Sequence, residues 1–219
     1  LHACRLGGLE VRRLIHPTTA AALVYQAERT GVEDEVIAVL DAGAGGASCA
    51  IVEIKEREVV VLAQRGLALG GEDIDGRIVE WLLSERQDVA GGGEGLVRSR
   101  LRDAAEKAKI GLSERKEVEV HLPFLSADEA GPKHLAAKLT QARLEKIAGD
   151  VVQRIAGLVA KVLEESGVTA DRVGDVLLLG GTSRIPAMHE RVEALFKRIP
   201  SARLDAVDTV ARGAAILAG

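Results

Sequence analysis

Val36-Ile37-Ala38-Val39-Leu40-Asp41-Ala42-Gly43-Ala44-Gly45-Gly46 is the stretch on which the reading of this chain turns. An apolar run of strand length ends in an aspartate and a glycine-rich turn. The arrangement returns near the other end, where Val176-Leu177-Leu178-Leu179 runs into Gly180-Gly181-Thr182-Ser183-Arg184-Ile185-Pro186. A strand ending in such a turn brings backbone N–H groups to a sheet edge, with no Cβ to hold off a phosphate or ribose. Two such turns in one small α/β chain, the first led by Asp41, point to a nucleotide.

Composition bounds the rest. The chain has 219 residues, enough for one large domain or two small ones. Apolar residues make up 47%, yet the aromatics are only Tyr25, Trp81, Phe124 and Phe196. The core is therefore built of Val, Leu, Ile and Ala, which suits a parallel or mixed sheet covered by helices better than a β-sandwich. A net charge of −4 with no basic block argues against non-specific nucleic-acid binding. Cys4 and Cys49 form no disulfide framework and no metal-ligand spacing, as expected in a reducing cytoplasm. No apolar run approaches a membrane span, no signal-peptide pattern is present, and the five histidines show no metal-ligand spacing. Opening on Leu1, the sequence reads as a piece of something longer.

Outward from the first turn, Val11–Ile15 reads as a short strand, followed by a turn at His16-Pro17 and a helix over about 18–28 capped by Thr18 or Thr19. Strands are expected at 36–40, 49–54 and 58–63, the last two joined as a hairpin by Lys55-Glu56-Arg57. Leu69-Gly70-Gly71-Glu72-Asp73 opens a helix to about Ser84, its apolar face carrying Ile74, Ile78, Trp81 and Leu82. Gly91-Gly92-Gly93-Glu94-Gly95 reads as a flexible exposed loop before a helix at 96–112. Strands at 118–122 and 135–139 flank a turn at Ala130-Gly131-Pro132. A long helix over about 141–166 follows, with Thr140 as cap, then strand 174–179 and helices 187–198 and 207–218. Residues 8–70 and 150–219 thus form a sheet-with-helices pattern, and 71–149 an inserted α+β subdomain, with a ligand expected between them.

Several stretches together resemble the seventy-kilodalton heat-shock chaperone family, part of the actin-like ATPase superfamily. They are Gly8–Ile15, Thr19–Leu23, Leu69-Gly70-Gly71-Glu72-Asp73-Ile74-Asp75, Glu106-Lys107-Ala108-Lys109-Ile110-Gly111-Leu112-Ser113, Gly131-Pro132-Lys133-His134 and Leu179–Pro186. They occur in the family's order and cover almost the whole chain. The resemblance implies a ribonuclease-H-like α/β lobe with an inserted α+β subdomain, corresponding to the second lobe of the family's nucleotide domain. It implies ATP or ADP as ligand, with or without Mg2+. Partners would be co-chaperones or a first lobe, and self-association is also expected of a lobe that exposes its cleft wall.

By the same resemblance, Asp41 matches an aspartate near magnesium and the attacking water, and Gly43, Gly45 and Gly46 belong to a phosphate hairpin. Glu106, Lys109 and Ser113, at helical spacings of three and four, match positions lining adenine and ribose. Gly71 approaches the ribose. Gly180 and Gly181 admit the adenosine, with Thr182 as hydroxyl neighbour and Arg184 across the base. Without the motif, Glu106 and Lys109 would read as a solvated surface pair, Asp41 as a turn cap and Gly180-Gly181 as an ordinary turn. Cys49 reads as a buried small hydrophobe.

The departures fall mostly on the hydrolytic side. Gly46 stands where the family has threonine, Ser48 where it has aspartate, and Pro17 where it has a catalytic glutamate. Proline offers neither a carboxylate nor an N–H. Ile110 replaces a base-stacking arginine, and Val207 an aspartate at the pocket's edge. The expectation is an adenine-nucleotide-binding lobe impaired in hydrolysis, with Asp41 vestigial. The rival is a degenerate module that binds a protein and no nucleotide; an active ATPase of a sugar-kinase-like branch is a further alternative.

Overall fold

A computed structural model describes residues 2–29, 33–56, 58–85, 94–129, 131–201, 203–205 and 208–218. Its centre is a four-stranded mixed sheet ordered β3-β2-β1-β6. β1 (Glu35–Ala42), β2 (Ala47–Ile54) and β3 (Val59–Leu67) form an antiparallel meander, and β6 (Val173–Leu179) lies parallel to β1. The expected hairpin between β2 and β3 is closed by Lys55 N–H donating to the Glu58 carbonyl. Arg57 lies outside the described residues.

The apolar strands make sense once both sheet faces are covered. Ala38, Leu40, Val176 and Leu178 face one cluster, while Ile37, Val39, Leu177 and Leu179 face another. Burial on both faces is what turns an alternating pattern into a continuous apolar run. On the first face lies α5 (Gln141–Ser166), a long helix burying Leu144, Val151, Ile155 and Val162. Its capping is as expected, with the Thr140 side chain accepting from Arg143 N–H at 3.2 Å and Gly167 closing the far end in a left-handed conformation. On the other face lies α2 (Pro17–Glu28) with Ala21, Ala22 and Val24, and α7 (Thr209–Ala218) packs against α2.

The segment matching 71–149 carries α3 (Gly71–Glu85), α4 (Glu94–Gly111) and a separate hairpin of β4 (Glu117–Asp128) and β5 (Gly131–Thr140). Ile74, Ile78 and Leu82 of α3, Leu101 and Ala108 of α4, and Leu135 and Leu139 of β5 join the same cluster that α5 buries. One apolar core therefore runs through both parts of the chain. Cys49 sits in it, 0% exposed, and burial pushes its thiol up to about 12, which leaves almost no thiolate to react.

Two local expectations are corrected. Residues 9–16 adopt no regular structure, so Val11–Ile15 is not a strand. Neither Thr18 nor Thr19 caps α2: the N-cap is His16, without a side-chain cap bond, and Pro17 takes the first turn, where its missing N–H costs nothing. A short helix α1 (His2–Leu6) precedes them, unannounced by periodicity. Gly91–Gly93 and Val207 lie outside the described residues.

Candidate functional site

Because β1 and β6 run parallel, both glycine turns emerge at the same end of the sheet. Asp41 pairs with Leu179 across the two strands, so Ala42-Gly43 and Gly180-Gly181 leave side by side. The turns are docked on each other. The Thr182 hydroxyl donates to the Gly43 carbonyl at 2.8 Å, and Gly180 has φ 78° against the Ala42 backbone. A Cβ at Gly180 would stand 2.3 Å from the Ala42 carbonyl oxygen, so only glycine fits. A 3₁₀ turn, Gly181–Arg184, then leads into α6 (Pro186–Phe196), with Pro186 in its first turn.

The first turn is closed by Gly43 N–H donating to the Gly46 carbonyl at 2.9 Å. Its carbonyls also hold the start of α3, with Gly71 N–H donating to Gly43 at 3.0 Å and Glu72 N–H to Ala44 at 2.9 Å. Gly70 N–H donates to the Asp73 carboxylate at 2.8 Å. The amides that open α3 are therefore already paired.

At the other side of α3, Lys109 of α4 is buried, 8% exposed, and this overturns the solvated-pair alternative. Its ammonium donates to Asp75 Oδ2 at 2.6 Å and to the Gly71 carbonyl at 3.0 Å. Gly71 leaves room for both groups: a Cβ would lie 2.7 Å from Thr182 Oγ1 and 2.8 Å from Lys109 Nζ and would push on these side chains. Lys109, Gly71 and the second turn thus form one packed junction. Asp75 is the buried partner of Lys109 that sequence reasoning missed. It stood inside the quoted Leu69–Asp75 motif, and an acid beside Ile74 on a buried helix face was the available signal.

Two clefts flank this junction. One, of about 350 Å³, brings together Lys109, Ile110, Ser113, Gly181, Arg184 and His189. The other, of about 650 Å³, runs beside Ala44 and Gly45 between α3 and α4. The first gathers Lys109, Ser113, Gly181 and Arg184 as the sequence suggested, with Arg184 and Ile110 exposed at its rim. Glu106 is not with them: it is exposed and lines the second cleft. Thr182 is buried, and its hydroxyl donates to the Gly43 carbonyl.

Asp41 is half-buried, and burial pushes its carboxyl above the ordinary aspartate value, with His16 opposing. The folded state then holds the proton more tightly than the unfolded one, so Asp41 costs stability as pH rises through its raised pKa. Asp41→Asn is accordingly expected to melt higher than the parent near neutrality, with the difference fading below about pH 4. Paired melts at the two pH values check this; a lower melting temperature for the variant near neutrality would contradict it.

Magnesium fits these residues poorly. Asp41 is the carboxylate at the turn, its cross-strand partner Ser48 brings only a hydroxyl, and no group of three ligating side chains converges among the described residues. An adenosine fits better, since the smaller cleft offers an apolar wall at Ile110 and Ile185 with polar groups at its rim.

A mixed sheet whose parallel strands end in two docked glycine turns, flanked by a helical cleft, is consistent with a lobe of an actin-like ATPase. The family model for Hsp70 protein matches residues 1–219, and the chain belongs to the Hsp70 family. Domains of that family bind ATP or ADP with Mg2+.

Proposed function

We propose that this chain binds adenine nucleotide through the adenosine half of the site, as the second lobe of a chaperone's nucleotide domain, with residues 71–149 as an inserted subdomain. The observation that carries the reading is the convergence of Lys109–Ser113, the end of α4 and the turn that follows it, with the Gly181–Arg184 turn around one cleft. The base would lie between Ile110 and the Arg184 guanidinium, and Ser113 would hydrogen-bond the ribose or base edge. Hydrolysis is impaired, because Pro17, Gly46 and Ser48 supply neither carboxylate nor threonine hydroxyl beside Asp41.

Calorimetric titration with ADP tests this. Arg184→Ala, an exposed position, is expected to weaken binding by about tenfold, the loss of one cation–π contact of ~1.4 kcal/mol. Unchanged affinity in that variant would move the ligand elsewhere. No heat from the parent with ADP or with adenosine would favour the protein-interaction module instead.

A further inference from the structure

We infer that the end of the sheet opposite the glycine turns carries a second binding site, one that takes a single carboxylate on a short apolar stem. The site is a cavity of about 290 Å³ lined by Tyr25, Glu28, Arg29, Arg203 and Leu204. It lies where β1 and β6 begin: Val36 pairs with Val173 at that end, and Tyr25, in the last turn of α2, reaches Glu35. The adenosine cleft is at the other end of the same strands, so the two sites stand or fall separately.

Two guanidiniums line the cavity, and neither is fully used. Arg29 Nη1 donates to the Glu33 carbonyl at 2.8 Å, while its Nη2 is buried and has no hydrogen-bond partner among the described residues. A buried donor left unpaired is costly, and the planar guanidinium fork matches a carboxylate. The Arg203 side chain is 67% exposed, and its Nη1 stands 4.0 Å from Asp175 Oδ2, outside hydrogen-bond reach. Asp175 Oδ1 is taken by Val176 N–H at 2.8 Å.

The acids nearby set the charge of the ligand. Glu28, in the lining, is paired with Arg212, and Glu35 accepts the Tyr25 hydroxyl at 3.0 Å. Burial, with Asp175 and Glu35 close by, pushes the Tyr25 hydroxyl pKa up, so it remains a donor turned toward Glu35. A doubly charged phosphate in the cavity would meet the field of Glu28, Glu35 and Asp175, whereas one negative charge is met by the two guanidiniums. Tyr25 and Leu204, 3% and 8% exposed, give the stem an apolar wall.

The test is titration of the full chain, followed by amide shifts and calorimetry at low ionic strength, with isovalerate, N-acetylleucine, N-acetylleucinamide and inorganic phosphate. Both acids are expected to give saturable shifts at Tyr25, Arg29, Arg203 and Leu204, with the neutral amide weaker by about tenfold or more. Tighter isovalerate assigns the site to a free acid and tighter N-acetylleucine to a peptide C-terminus; either order supports the carboxylate site. Arg203→Ala, at an exposed position, should weaken both acids by about tenfold without lowering the melting temperature. Arg29→Lys, which keeps the charge and loses the fork, should weaken them as much. An amide that binds as well as the acids, or unchanged affinity in Arg203→Ala, overturns the inference. Phosphate binding more tightly than either acid overturns the single-charge assignment, and no saturable shift at these residues with either acid removes the site.

Discussion

Lys109→Met is expected to cost about 3–5 kcal/mol of folding stability, far more than an exposed lysine would. The deciding fact is burial: both partners of the Lys109–Asp75 pair have side chains only about a tenth exposed, 10% and 11%. An exposed pair contributes roughly 0–1 kcal/mol, because water solvates either ion once the other is gone. Here methionine fills the lysine's volume but leaves the Asp75 carboxylate buried without its cation, and the Gly71 carbonyl without its donor. The double change Lys109→Met with Asp75→Leu is expected to recover most of the loss, since removing both charges removes the desolvation problem. Urea titration reads this as a fall in midpoint at unchanged slope for the single variant, largely reversed in the double. A single-variant loss below about 1 kcal/mol would mean that water reaches the pair and that the junction is not packed as described.

Gly180→Ala is expected to destabilise by about 2–5 kcal/mol, combining backbone strain with a steric clash. Its φ of 78° with ψ of 154° lies where L-residues are strained whatever the space around them. The added Cβ also meets the Ala42 carbonyl oxygen at 2.3 Å and Asp41 Oδ1 at 2.7 Å. The Ala42 carbonyl cannot withdraw cheaply, because Ala42 is the last residue of β1 and is fixed by its pairing with Ala47. The neighbouring Gly181 is the control. Nothing lies within 4 Å of a Cβ there, so Gly181→Ala should change stability by no more than about 1 kcal/mol in either direction. Equal effects at the two positions would show that the turns are not docked on each other.

Much of the fold could be read from local chemistry. The apolar face of α5 repeats at helical spacing over 26 residues, and Thr140 announces its start, so both ends were legible. The strands were legible as apolar runs because both sheet faces are covered. What failed had a local cause. Thr18 and Thr19 look like caps, but Pro17 sits best inside the first turn, which moves the cap to His16. Val11–Ile15 has a strand's composition without a strand to pair with, and pairing is not a local property.

The site was legible in part for a related reason. A helical wheel puts Glu106, Lys109 and Ser113 on one face but ignores distance along the axis, about 1.5 Å per residue. Glu106 stands nearly a turn toward the N-terminus, where side chains also lean, and so it reaches the other cleft. The burial of Lys109 depends on Asp75, 34 positions away on α3, which no spacing rule connects.

The central claim is that the adenosine cleft lies between the α4 end and the second glycine turn. Backbone amide shifts followed during titration with adenosine test it most directly. The account predicts the largest shifts at Lys109–Ser113 and Gly180–Arg184, with Asp41–Gly46 little affected. Saturable shifts centred elsewhere, or none at all, would contradict it.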